Sequence, residues 1–215
     1  MDKPLGIEST NRQIRFAREY LEGLKKCLDA LSLEEVAGVI GYLEEAYREG
    51  KQVFIIGNGG SAATASHMAC DLGKVILPEE GDTAPRFRVT ALTDNVPWIT
   101  ALANDLGYEY VFSEQLKNLL HKGDLVIAIS GSGNSPSIIE GIRVAKSLGA
   151  KVLGILGFDG GKADEMVDAS IIVRSESYGY IEDVHMVLDH LITAYFKTSL
   201  AKEIVVGQAD GFLSL

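Results

Sequence analysis

The chain has 215 residues, enough for one substantial core and short for two. Its formal net charge is −10 with no Lys/Arg cluster, which argues against nucleic-acid binding. No apolar run reaches the roughly 18–20 residues that span a bilayer. Met1 to Gly6 lacks the basic-then-apolar pattern of a secretory signal, so a cytoplasmic protein with no membrane partner is expected.

Residues 9–49 read as helical, with apolar residues at three- and four-residue spacing from Ile14 to Tyr47. Ser32 followed by Glu35 is a capping-box pattern that starts a second helix, and Gly50 is a suitable stop. Val53–Ile56 is then a short apolar run ending at Gly57, as in a buried parallel strand. Such runs recur at Phe87–Leu92, Leu125–Ile129, Val152–Leu156 and Ala169–Val173. Helical segments lie between most of them, clearest at Ala62–Leu72, Pro97–Asn104 and Pro136–Leu148, and a last helix spans about Ile181 to Ala201. Alternating strands and helices predict one α/β domain, with a five-stranded parallel sheet covered on both faces and a helical N-terminal segment. The expected division is a helical segment over 1–50, the α/β domain over 51–203 and a tail over 204–215 whose role the sequence does not reveal. Cys27 and Cys70 lie in helix-like segments outside any CxxC pair and read as free thiols.

In open parallel sheets, ligands bind at the carboxyl ends of the strands. Three loops stand there: Gly57-Asn58-Gly59-Gly60-Ser61, Ser130-Gly131-Ser132-Gly133-Asn134-Ser135-Pro136, and Gly157-Phe158-Asp159-Gly160-Gly161-Lys162. The second carries the most information. Ser135 suits a helix N-cap and Pro136 the first helical turn, so a helix N-terminus faces the loop and favours an anion. Ser130, Ser132 and Ser135 add hydroxyl donors, and the loop can hold a phosphate without lysine. The first loop also fits G-x-G-x-x-(G/A), the dinucleotide fingerprint, but its expected acid is misplaced. Glu79, Glu80 and Asp82 precede the second strand, and Asp94 lies too far beyond Ala62. An oxidoreductase is therefore a poor reading.

His67 and Asp71 stand at i and i+4 on the helix after the first loop, a spacing that suits a metal or an acid/base pair as well as a structural contact. The last helix carries Glu182, Asp183, His185, Asp189 and His190. Periodicity alone pairs Glu182 with His185 at i, i+3.

Taken together, Gly57-Asn-Gly-Gly-Ser61, His67 with an acid four residues on, Ala103-Asn104-Asp105, the serine loop, Asp159-Gly-Gly-Lys162 and the segment from Ile181 to His190 resemble the sugar isomerase (SIS) domain family. Within it the chain resembles phosphoheptose isomerases over roughly residues 10–203. The resemblance implies a flavodoxin-like αβα sandwich, a homotetramer with sites shared between subunits, and a sugar phosphate as substrate. It implies interconversion of sedoheptulose 7-phosphate and D-glycero-D-manno-heptose 7-phosphate through an enediol. The implied substrate-binding residues are Asn58, Gly59, Gly60, Ser61, Asp71, Asn104, Asp105, Ser130, Gly131, Ser132, Ser135 and Glu182. A divalent metal, zinc in the family, is implied at His67, Asp71, Glu182 and His190, with His190 as base, Asp71 as acid, and His185 left structural. Three positions depart from the family: Asp71 stands where glutamate is usual, Glu182 where glutamine is, and Gly131 where threonine is. A non-catalytic relative that acts through protein contacts is the competing class. It lacks the equivalent of His190, so retention of His67, Asp71 and His190 favours an enzyme.

Overall fold

The computed structural model describes residues 7–75 and 85–211. Glu79, Glu80 and Asp82, the start of the 1–50 segment and the end of the 204–215 tail therefore lie outside the described residues. Two helices open the chain, α1 (Ile7–Asp29) and α2 (Leu33–Arg48). The α/β part follows as β1 (Gln52–Gly57), α3 (Gly60–Val75), β2 (Arg88–Ala91), α4 (Val96–Asp105), a 3₁₀ turn at Tyr108–Tyr110, α5 (Ser113–Leu119), β3 (Leu125–Ser130), α6 (Pro136–Ser147), β4 (Lys151–Gly157), α7 (Gly161–Asp164), β5 (Ala169–Val173) and α8 (Tyr178–Gly211).

The sheet is parallel throughout, in the order β2-β1-β3-β4-β5. This is the five-stranded parallel sheet the sequence predicts, and each expected strand forms within two residues of its expected ends. Alternation along the strands divides the core. Val53, Ile55, Ile127 and Ile155 face a layer made by α2, α3 and α8, while Phe54, Ile56, Val126 and Val152 face α5 and α6. Burial of both faces is why these strands read as continuous apolar runs rather than alternating ones.

Local signals explain most boundaries. Ser32 Oγ accepts from the Glu35 N–H at 3.1 Å, which starts α2. The expected reciprocal half of the capping box does not form. Glu35 Oε2 instead accepts from the Ile172 N–H at 3.0 Å and ties α2 to β5. Gly50 closes α2 at φ +64, while the Lys51 N–H reaches back to the Ala46 carbonyl at 2.8 Å. Three short helical pieces escape the sequence pattern: the turn at Tyr108–Tyr110, α5 and α7. Each is too brief to show a helical period. The last helix is longer than expected. It begins at Tyr178 and continues to Gly211, through most of the segment assigned to the tail.

Two loops at the carboxyl edge lock together. The Ala163 N–H donates to the Gly133 carbonyl at 2.9 Å, and the Lys162 N–H donates to Asn134 Oδ1 at 3.1 Å. Gly133 sits at φ +62, and a Cβ there would run into the Gly160 carbonyl. Gly133→Ala is expected to lower unfolding free energy by about 1–3 kcal/mol from backbone strain alone, measurable by urea denaturation. An unchanged midpoint would mean that the two loops do not pack as described.

Candidate active site

In a 2-1-3-4-5 sheet the connections diverge between β1 and β3, and the crevice outside their carboxyl ends is where ligands bind. Gly57 is paired with Ile129 across that switch point, so the glycine loop and the serine loop rise side by side. Asn58 joins them: its Nδ2 donates to Ser137 Oγ at 2.9 Å, and its Oδ1 accepts from the Tyr108 hydroxyl at 2.9 Å.

A cavity of about 110 Å³ opens between these loops, lined by Asn58, Ser61, Ser130, Gly131, Ser132, Ser135, Tyr178 and Glu182. The serine hydroxyls are arranged for an anion. Ser130 Oγ accepts from the Gly133 N–H at 3.1 Å, and Ser132 Oγ accepts from the Asn134 N–H at 3.2 Å. Each oxygen is held by the backbone through its lone pair, which leaves its O–H to donate elsewhere. Ser135 occupies the N-cap position of α6 as expected, yet its side chain makes no capping hydrogen bond. The residue lines the cavity instead, at the positive end of the α6 dipole. Gly131 also finds a reason here. A Cβ at 131 would lie 2.9 Å from the Tyr178 ring, so the ring fills the space a threonine would need.

A second group of side chains forms where α3 and α8 pack together. His67, Asp71, Asp189 and His190 place one ligand atom each within 4.8 Å of one another. His67 Nε2 is 3.1 Å from His190 Nε2, 3.5 Å from Asp71 Oδ2 and 4.0 Å from Asp189 Oδ2. Two imidazole Nε2 atoms this close share either one proton or one cation. Four ligands around a zinc ion at its usual bond lengths stand about 3.3 Å apart, near the spacing found. The donor set of two imidazoles and two carboxylates suits zinc or another borderline divalent ion. Burial pushes the Asp189 carboxyl up to about 6, with His67 pulling it down and Asp71 pushing it up.

The structure brings together three of the four expected metal ligands, His67, Asp71 and His190. The fourth, Glu182, is not among them, and Asp189 stands in the cluster in its place. A Cβ on Gly60 would lie 2.5 Å from Glu182 Oε1, so the Glu182 carboxylate sits over the N-terminus of α3. Gly59 leads into that turn at φ +56. Asn104 and Asp105 end α4, where Asn104 Nδ2 donates to Asp105 Oδ1 at 2.8 Å. Neither lines the serine-loop cavity of this chain.

His185 does not pair with Glu182 as periodicity suggested. It is buried, and its Nε2–H donates to the Leu156 carbonyl at 3.1 Å. Asp189 was visible in the sequence only as one member of a polar stretch. Its burial, which depends on the packing of α8, is what sets it apart.

Fold and site together define an open parallel α/β protein with a serine- and glycine-rich loop at its switch point and a His/Asp cluster beside it. The chain belongs to the SIS domain family, whose model matches residues 16–157. Curated proteins similar to it include phosphoheptose isomerases. That of Aliarcobacter butzleri is 38% identical over 158 residues, spanning 73% of this chain and 81% of its own. That of Geotalea daltonii is 34% identical over 187 residues, spanning 86% and 93%. Among solved structures, the phosphoheptose isomerase of Neisseria gonorrhoeae superposes with a TM-score of 0.78 at 28% identity, over 86% of this chain and 98% of that one.

Burial pushes the His185 imidazole down to about 4, opposed by its bond to the Leu156 carbonyl. The unfolded chain, with a pKa near 6.5, therefore takes up this proton first as pH falls. The His185 contribution is fully present above about pH 6.5 and is lost as pH drops toward 4, by about 3 kcal/mol in all. Between pH 7 and 4, a His185→Met variant should gain about that much relative to the parent in urea titrations. Parallel stability curves would contradict this.

Proposed function

We propose that this protein is a sugar-phosphate aldose–ketose isomerase of the cytoplasm that converts sedoheptulose 7-phosphate to D-glycero-D-manno-heptose 7-phosphate. The observation that carries this reading is the pairing of an anion-binding loop with an acid/base cluster along one helix seam. Glu182 lines the loop cavity, and Asp189 is seven residues further along α8, about 10.5 Å at 1.5 Å per residue. An extended heptose phosphate covers that span, with its phosphate on the serines and its carbonyl end at the cluster. The names of the relatives, phosphoheptose isomerases, support the same substrate.

In this reading the Ser130, Ser132 and Ser135 hydroxyls hold the phosphate, with Ser61 beside them. Asn58, Gly59 and Gly60 shape the adjoining wall. His190 takes the proton from carbon, and Asp71 exchanges a proton with the carbonyl oxygen, as an enediol path requires. Lewis-acid polarisation of that oxygen is the chemistry a zinc ion held by the cluster supplies. A neutral imidazole has a single basic nitrogen, so His190 serves as the base only while that nitrogen is not bound to the ion. Asp71 has two oxygens and is not limited in this way.

A homotetramer completes the proposal. Val187, Leu191 and Tyr195 form an exposed apolar stripe on α8, and Ile14, Phe16 and Leu21 are exposed on α1, both suited to subunit contacts. Asn104 and Asp105 would then reach the site of a neighbouring subunit. Light scattering after gel filtration should give a mass four times that of the 23.2 kDa chain, and a monomer would contradict the shared site.

Incubation with sedoheptulose 7-phosphate should yield the aldose product, and chelator should slow the reaction. His190→Ala should lower kcat/KM by about 10²–10⁴-fold while sugar-phosphate affinity stays within a few-fold of the parent. Isomerisation retained in that variant would reject the base assignment. Binding of the sugar phosphate with no turnover by the parent would reject the enzyme in favour of a sensor.

A further inference from the structure

We propose that Asp189 is a ligand of the divalent ion, in the coordination position that family resemblance gives to Glu182, and that Glu182 faces the sugar instead. The inference deepens the metal component of the proposed function and rests on it for the presence of an ion.

Helix geometry separates the two carboxylates. α3 and α8 touch at two levels, Gly60 against Glu182 and His67 against Asp189 and His190. On each helix the levels are seven residues apart, two turns along one face and about 10.5 Å along the axis. Both helices advance in the same direction along the seam, so the levels stay in step. Glu182 is one full level above the histidines. Asp189 is level with them.

Asp189 carries an independent mark of a missing positive partner. It is 0% exposed. Its Oδ1 accepts from Thr193 Oγ1 at 3.5 Å, while among the described residues its buried Oδ2 has no hydrogen-bond partner. That oxygen is 4.0 Å from His67 Nε2 and belongs to the cluster. A buried carboxylate oxygen without a partner is costly unless a cation meets it. Two neutral imidazoles and two carboxylates give a donor set of charge −2, which a divalent ion cancels. Glu182, by contrast, is exposed and lines the serine-loop cavity, where a carboxylate can accept hydrogen bonds from sugar hydroxyls.

The test compares the parent, Asp189→Asn and Glu182→Ala after zinc loading and gel filtration, by metal content and by competition with a chromogenic chelator. Alanine is used at 182 because it removes every donor there, whereas glutamine would restore the side chain usual in the family. Cobalt-substituted samples add a visible spectrum that reports the ligand set. The parent and Glu182→Ala should each keep one ion per chain, with affinities within about threefold and matching cobalt spectra. Asp189→Asn should lose more than the roughly 10–100-fold in affinity that removal of a supporting hydrogen-bond partner costs, with an altered cobalt spectrum. Unchanged metal binding in Asp189→Asn, loss of the ion in Glu182→Ala, or a parent that holds no ion would each overturn the proposal. If Asp189→Asn fails to fold, the Glu182→Ala arm decides: retention of the ion supports the assignment and loss overturns it. Turnover of sedoheptulose 7-phosphate, followed on the same samples, reports separately. A parent that isomerises while Glu182→Ala loses its metal leaves the isomerase reading intact and removes only this one.

Discussion

The packing of α3 against α8 is the constraint on which the rest of the site depends. Gly60 has no side chain where Glu182 comes down, which lets the two helices approach at their N-terminal ends. Seven residues later the same approach brings His67 against Asp189 and His190. Met68 and Leu72 on α3, with Leu188 and Ile192 on α8, fill the core beneath this polar seam. The cluster is thus assembled by apolar burial of the opposite helix faces, and its own polar contacts need not hold it together. α1 adds a brace from outside, where the Tyr20 hydroxyl donates to Asp183 Oδ2 at 2.6 Å, next to Glu182.

A chain of net charge −10 must attract an anion locally. The serine loop is suited to this through its hydroxyls and a helix N-terminus, with its shape fixed from both sides. Backbone N–H groups bind the serine oxygens, and Asn134 accepts from the Lys162 N–H in the first turn of α7. Preorganisation of this kind reduces the ordering cost that a flexible loop of serines and glycines would bear on binding. Asp71 and Asp189 are kept at the other end of the seam, while Glu182 lines the loop cavity itself. The placement separates phosphate from the ionisable cluster, so each end can hold its own kind of charge.

The sheet was legible because both faces of each strand are buried, leaving runs such as Val53–Ile56 and Leu125–Ile129 with no polar interruption. The serine loop was legible because its composition has few structural uses between a strand and a helix. His67 with Asp71 needed only helical spacing. Asp189 and Glu182 were not separable in the same way, because both lie on the polar part of one helix. Only the level at which α8 meets α3 decides which carboxylate joins the histidines. Ser135 shows the same limit at smaller scale: its position at the N-cap was readable, but the direction of its hydroxyl was not. The short helices α5 and α7 give too few residues for any period to appear.

The central claim is that phosphate and reacting carbons occupy opposite ends of one seam. Paramagnetic relaxation of the phosphorus nucleus of bound sedoheptulose 7-phosphate, with manganese loaded into the His/Asp cluster, measures that separation directly. Two turns of α8 set the expected phosphorus–metal distance at about 10 Å. A phosphorus in direct coordination to the metal, or one too distant to be relaxed at all, would contradict it.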